Sequence, residues 1–388
     1  MHLSIELPLT MKLARSLLLI CILNLVLSCV GWGANNSVKP DMRLHHKAIN
    51  ASAAKSIAYL TSWQLPTDAA THLQASRADA YMLAFARWNE DGSISSTDDI
   101  VKQPPNNPKN ISNAYLTWTQ SAHFSPDTKM IISFGGQDYE DIWDTMGSRE
   151  HSEAIANSIA KLLQTDFPVY QQKSPTDCYD DQCDRSPSFD LIGYTQLAGV
   201  DFDFEQSSRL SSNQNRQLAF LAKRVRELVG DTKTIVLTTY HVGADPVNCG
   251  DAKVVEGCSY RDPNRSTHHG EVLGLLRTTL GVFDYYNVMT YDAGRGFDFK
   301  TAMHNYTRVV GNRSALRLGI SINQQWGQAG HFVMPHAENM ARAQWQAEQG
   351  FGGFFVWALG ASTENRALES QISTFNILVN SADTENIR

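Results

Sequence analysis

Residues 198 to 205 read Ala-Gly-Val-Asp-Phe-Asp-Phe-Glu, with an acid at every second position from Asp201 to Glu205 and apolar residues between. Successive side chains on a strand point to opposite faces, so Asp201, Asp203 and Glu205 share one side while Val200, Phe202 and Phe204 share the other. If the acidic side faces away from water, each carboxyl is desolvated beside a like charge and its ionisation is opposed. Such strain marks the row as a candidate functional site. The competing arrangement is an exposed edge strand whose acids are only solvated surface. Binding of Mg²⁺ or Ca²⁺ is disfavoured, because no Asp/Asn-rich calcium loop is present.

The elements that must position this row are short apolar runs with helical stretches between them. Eight runs read as strands: Ile57 to Trp63, Ala80 to Phe85, Lys129 to Phe134, Gly199 to Phe204, Thr234 to Tyr240, Tyr285 to Met289, Leu316 to Ile320 and Gly353 to Trp357. The clearest helix follows the acidic strand: Ser211 and Gln214 form a capping box, Leu218, Leu221, Val225 and Leu228 form a stripe at helical spacing, and Gly230 sits at the C-terminal cap. Eight strand–helix alternations predict an α/β fold, a single (β/α)8 barrel, whose usual length is ~250 residues before insertions. The expected insertions are Asn89 to Asn110 and Gln171 to Ser188. Active sites of such barrels lie at the C-terminal ends of the strands, and Glu205 occupies one. The acids therefore face the barrel mouth.

Composition narrows the partners. The 388 residues are 42% hydrophobic and 19% charged with a formal charge of −7, which fits an enzyme-sized globule. No Lys/Arg-rich run offers the clustered charge that nucleic-acid binding needs. At the N-terminus, Lys12 and Arg15 precede the apolar run Leu17 to Leu27 and then Ser28-Cys29, which reads as an export signal over residues 1–29. Val26-Leu27-Ser28-Cys29 is similar to a bacterial lipobox, so a lipid on Cys29 and a plain secretory signal both stand as readings. The run is shorter than the about 20 residues of a membrane span, leaving a Cys29 lipid as the sole expected membrane contact. Residues 30–54 read as a polar tether and 55–380 as the catalytic barrel. Outside the leader, Cys178, Cys183, Cys249 and Cys258 form two sequence-local pairs, which in an exported chain suggests disulfides Cys178–Cys183 and Cys249–Cys258. A metal site built from all four is weaker, since neither pair has zinc-site spacing.

With these residues the chain resembles glycoside hydrolase family 18, the chitinases and endo-β-N-acetylglucosaminidases. The family hallmark DGxDxDxE ends the fourth strand, and here Ala198 replaces its first acid while Asp201, Asp203 and Glu205 remain. Ser133-Phe134-Gly135-Gly136 is similar to the SxGG segment of strand three, Met289-Thr290-Tyr291-Asp292 to the MxYD segment of strand six, and Trp357 to the tryptophan ending strand eight. The resemblance implies Glu205 as general acid, with the substrate's own 2-acetamido oxygen as nucleophile. It implies that Asp203 orients the acetamido N–H, that Asp201 shares a proton with Asp203, and that Tyr291 holds the acetamido oxygen. Trp357 is then the floor under the sugar, with Met289, Asp292, Gly135 and Gly136 completing the substrate-binding set, the glycines through close backbone approach. No cofactor and no metal are implied. The expected partner is an N-acetylglucosamine-containing polysaccharide or glycan. Two features bear on substrate rather than reaction: Gln206 stands where many chitinases have an aromatic residue, and Phe204 where they often have tryptophan. About 32 residues separate strands seven and eight, too few for an α+β insertion domain, so an open cleft is expected.

Overall fold

A computed structural model describes residues 54–383, except 107, 174–186, 252, 254, 261–265, 295 and 325–333. The leader, Cys29, the tether up to residue 53 and the pair Cys178 and Cys183 lie outside the described residues. Eight strands form the centre: β1 Ser56–Thr61, β2 Ala80–Trp88, β3 Lys129–Gly135, β4 Gly199–Phe204, β5 Thr234–Tyr240, β6 Tyr285–Met289, β7 Leu316–Ser321 and β8 Phe354–Leu359. Each pairs in parallel with the next, and β8 pairs with β1, so the sheet closes into a (β/α)8 barrel. The helices that follow the strands are α1 Ala69–Leu73, α2 Asn113–Phe124, α3 Arg149–Gln164, α4 Ser212–Val229, α5 Leu273–Thr278, α6 Phe299–Val310, α7 His336–Glu348 and α8 Leu368–Ala382.

Period-two alternation divides the apolar residues into two cores. Val200, Phe202 and Phe204 of β4 face outward and pack with Leu218, Leu221 and Val225 of α4 in the shell between sheet and helices. Ile57, Tyr59, Met82, Ile131, Val236, Tyr285, Met289 and Phe355 face inward and fill the barrel interior. Helix α4 begins as the sequence predicts: the Ser211 hydroxyl accepts from Gln214 N at 3.1 Å, and the Gln214 side-chain Oε1 accepts from Ser211 N at 2.7 Å. At the bottom of the barrel Arg317 is buried, donating from Nε to the Ala54 carbonyl at 2.8 Å and lying 4.5 Å from the Tyr285 ring centre.

Three local departures have physical causes. Strand β2 runs to Trp88 rather than Phe85, because a short strand Ile94–Ser96 inside the expected insertion pairs antiparallel with Ala86–Trp88. Strand β1 stops at Thr61, whose hydroxyl turns to the Trp63 carbonyl at 3.3 Å, so Trp63 lies beyond the ladder. The second expected insertion is carried on an antiparallel hairpin, Phe167–Gln172 with Phe189–Thr195, outside the barrel sheet. Between β7 and β8 the described connection holds α7 and no additional strand.

Candidate active site

Inward-facing β4 positions bring Asp201 and Asp203 into the barrel, and Glu205 emerges at the rim. Exposure rises along the row: Asp201 is fully buried, Asp203 is 3% exposed and Glu205 is half-buried. Asp201 sits deepest and is well partnered. Its Oδ2 accepts from the Tyr59 hydroxyl of β1 and the Ser133 hydroxyl of β3, each at 2.7 Å, and its Oδ1 accepts from the Thr238 hydroxyl of β5 at 2.8 Å. Burial outweighs these donors and pushes the Asp201 carboxyl up to about 6. Strands β1, β3 and β5 thus converge on one carboxyl, and Asn287 of β6 backs the array by donating to Thr238 at 3.0 Å.

Asp203 differs. Its Oδ1 is buried without a hydrogen-bond partner. Burial raises its carboxyl well above the ordinary range, and the charges of Glu205 and Asp201 raise it further. Glu205 is pushed up to about 7, first by burial, with Asp292 and Glu140 adding like charge. Two donors oppose the rise, the Tyr240 hydroxyl and the Gln137 backbone N–H. The row is therefore a set of coupled acids holding protons near neutral pH, with the outermost member reachable from solvent.

Gly135 and Gly136 explain how Gln137 comes to the rim. Both have positive φ, 100° and 70°, in the region that favours glycine. A Cβ on Gly135 would lie 2.5 Å from the Asp203 carbonyl, and one on Gly136 2.6 Å from the Phe85 ring. The pair thus lets β3 turn tightly against β4, and Gly136 N donates to the Asp203 carbonyl at 3.1 Å.

Tyr291 follows β6 and is 9% exposed, with its ring 5.9 Å from that of Phe355. Burial raises its phenol, and the charges of Asp203 and Glu205 add to the effect. Met289 lies in the inner core at 5% exposure, so it is a packing neighbour of the site. Asp292 is exposed, on a turn with φ of 53°. Trp357 is half-buried, with its ring stacked on Phe85 at 5.7 Å and 23° and edge-on to Tyr59 at 5.5 Å. A flat aromatic pair beside a row of proton-holding acids suits a ring-shaped substrate with an acid-labile bond.

All the site residues read from the sequence except the Cys178 and Cys183 pair are thus placed, and the acids, Tyr291 and Trp357 share the mouth of one barrel. Sequence reasoning missed Tyr59, Thr238, Phe85, Gln137 and Tyr240. Tyr59 and Thr238 carry no distinguishing signal, since other hydroxyl residues, Thr61 on β1 and Thr234 on β5, share their inward faces. Cys249 and Cys258 form a disulfide with Cα atoms 5.5 Å apart, as expected. Among the described residues, one group of donor types, Asp245, Cys249 and His269, has atoms within 4.8 Å of one another. The disulfide occupies the sulfur. Asp245 Oδ2 accepts from Ser259 N at 2.9 Å and Ser259 Oγ at 2.7 Å and pairs with His269 Nδ1 at 2.9 Å, while Oδ1 accepts from Asn305 at 2.6 Å. That carboxylate organises a loop.

A family model described as glycosyl hydrolases family 18 matches residues 55–331. No curated protein sequence matches the chain. Among solved structures, a family 18 chitinase from Pseudoalteromonas aurantia is similar with a TM-score of 0.57 and 15% identity, over 84% of this chain and 99% of that one. A chitinase from Rhizomucor miehei is similar with a TM-score of 0.51 and 16% identity, over 82% and 99%. A chitinase-like agglutinin from Robinia pseudoacacia is similar with a TM-score of 0.54 and 13% identity, over 83% and 99%. At these identities the likeness establishes the barrel and leaves activity to the site.

Proposed function

The chain belongs to glycosyl hydrolases family 18, and from that membership we propose that it is an endo-acting glycoside hydrolase cleaving β-1,4 bonds between N-acetylglucosamine units. The observation that carries this reading is the graded acid row, with Glu205 at the rim pushed up to about 7, Asp203 deeper on the same strand and Tyr291 beyond β6 raised by burial and by the charges of both. A protonated Glu205 donates to the glycosidic oxygen as the bond to the anomeric carbon breaks. The carbonyl oxygen of the substrate's 2-acetamido group forms the new bond to that carbon, giving an oxazolinium ion. Asp203 accepts the acetamido N–H and stabilises the positive charge that develops there, with Asp201 sharing its proton. Tyr291 donates its hydroxyl to the acetamido oxygen, and Trp357 packs against the sugar face. Glu205, now a carboxylate, takes a proton from the water that opens the ring. Two inversions leave the β-anomer.

Endo-cleavage of the chitobiose core of N-glycans uses the same acids, and Gln206 in place of an aromatic residue and Phe204 in place of tryptophan support keeping it as the second substrate. Sugar binding without cleavage, on the pattern of the agglutinin's barrel, is opposed by the retained Glu205, Asp203 and Tyr291. Purified protein assayed in parallel on chito-oligosaccharides and on a high-mannose glycoprotein separates the three. Cleavage of chito-oligosaccharides with β-anomer formed first is expected. An α-anomer first, or efficient cutting after a deacetylated sugar, overturns the mechanism, and no cutting of either substrate overturns the enzyme reading. Export rests on the leader sequence, and the mass of the mature N-terminus tests it, with Cys29 lipidated or not.

A further inference from the structure

We infer that Tyr240 is a positioning residue for Glu205, holding the acid through its hydroxyl and itself held by a side-chain chain that returns to the loop after β4. The inference rests on Glu205 acting as the general acid. Register places the two together: Phe204 of β4 lies opposite Thr239 of β5, so the next residues on each strand, Glu205 and Tyr240, are neighbours at the rim. The Tyr240 hydroxyl donates to the Gln206 backbone carbonyl at 3.3 Å, one residue beyond Glu205, and as a donor within reach of the Glu205 carboxyl it opposes that group's upward shift. Gln206 itself is turned toward α4, its Oε1 accepting from Gln214 at 2.7 Å, so the residue after Glu205 does not take this role.

Tyr240 is fixed at both ends. Its carbonyl accepts from the Tyr306 hydroxyl at 2.6 Å and from Gly243 N at 3.0 Å. Its ring packs on His268 with centroids 4.6 Å apart. His268 Nδ1 lies 2.8 Å from Glu271 Oε2, which also accepts the backbone N–H of Leu210 at 3.0 Å. Leu210 sits in the connection that Glu205 begins. The path Glu205–Tyr240–His268–Glu271–Leu210 therefore closes on itself, and the rim acid cannot swing without disturbing it. A phenol so immobilised loses little entropy when it holds a substrate-facing carboxyl, which is the condition for orienting a proton donor.

The test is Tyr240→Phe, which keeps the ring on His268 and removes the hydroxyl. The other groups acting on Glu205 are Asp203 on β4, Asp292 and Tyr291 beyond β6, and Glu140 and the Gln137 N–H beyond β3, and none is altered. A hydroxyl donating to the carboxylate favours the charged form, so its loss lets Glu205 keep its proton to higher pH. We expect kcat on a chito-oligosaccharide to fall about tenfold with KM little changed, and the alkaline limb of the kcat/KM profile to move up by about one pH unit. His268→Ala, which loosens the ring and keeps the hydroxyl, should reproduce the loss in kcat in weaker form. Tyr240→Phe with wild-type kcat and an unmoved alkaline limb overturns the inference. Glu205→Gln run alongside separates the two levels: if it is inactive while Tyr240→Phe is normal, the positioning role alone fails, and if it retains most activity the general-acid reading fails as well.

Discussion

Asp203 and Asp245 are both buried aspartates at the mouth side of the barrel, and they are treated in opposite ways. Asp245 has both oxygens filled by protein donors, including two from Ser259 and one each from His269 and Asn305. Asp203 keeps a buried oxygen with no partner and sits between two other carboxyls. A buried carboxylate that is fully hydrogen-bonded fastens backbone segments together, and removing it leaves its donors stranded. One left short of donors is costly to fold around and is suited to a ligand that supplies the missing donor, under the proposed function an acetamido N–H. Saturation distinguishes structure from chemistry more sharply than burial does.

The largest effect expected from testing this contrast is at the end of the unsaturated row. Glu205→Gln should lower kcat by at least ~10²-fold with the fold intact by circular dichroism. Retained turnover there breaks the assignment of the row to chemistry. Exchanging the two aspartates in turn is the next strongest test. Asp203→Asn should cost about 10²-fold in kcat without loss of stability, whereas Asp245→Asn should cost about 3 kcal/mol of stability while the folded fraction keeps most of its turnover. Unfolding curves and initial rates on the same samples decide it, and equal stability losses in the two variants would erase the contrast.

Stability against pH sharpens it further. Glu205 and Asp203 have folded pKa values above their unfolded values of 4.5 and 3.8. The native chain therefore keeps protons that the unfolded chain has released, and these groups subtract stability as pH rises from about 4 through 7. Glu205→Gln and Asp203→Asn should accordingly gain Tm over wild type at pH 8 and not at pH 4. Activity follows the same proton: kcat/KM should fall about tenfold per pH unit above about 7, where Glu205 ionises. A flat profile to pH 9 contradicts a Glu205 acid. The smallest effect belongs to the loop that Asp245 organises. Reducing Cys249–Cys258, which closes a separation of nine residues, should cost about 2–3 kcal/mol in a chain-entropy account and appear mainly as faster amide exchange over residues 245–260.

Much of this was readable in advance, for reasons that differ by element. The inner strands are short apolar runs because both faces are covered, so β3 to β8 lie within one or two residues of their sequence positions. The hairpin Phe167–Gln172 with Phe189–Thr195 escaped notice because its second strand has no fully buried residue and mixes polar with apolar residues without alternation. The acids stood out since alternation puts them on one face of a strand whose other face is greasy, a property of eight consecutive residues.

What could not be read is every contact made by barrel closure. Tyr59 reaches Asp201 from 142 residues away, and Thr238 and Ser133 meet the same carboxyl from different strands. Nothing local marks an ordinary tyrosine or threonine for this, because hydroxyls are equally at home on a surface or in a core. Periodicity along one strand assigns a side chain to the inside. Its height in the barrel and its neighbours across the interior depend on the register between strands, which is set by the packing of all eight together. The acid row was thus a property of local order, whereas the difference between Asp201, surrounded by donors, and Asp203, whose buried Oδ1 is left without one, arose from the closed sheet.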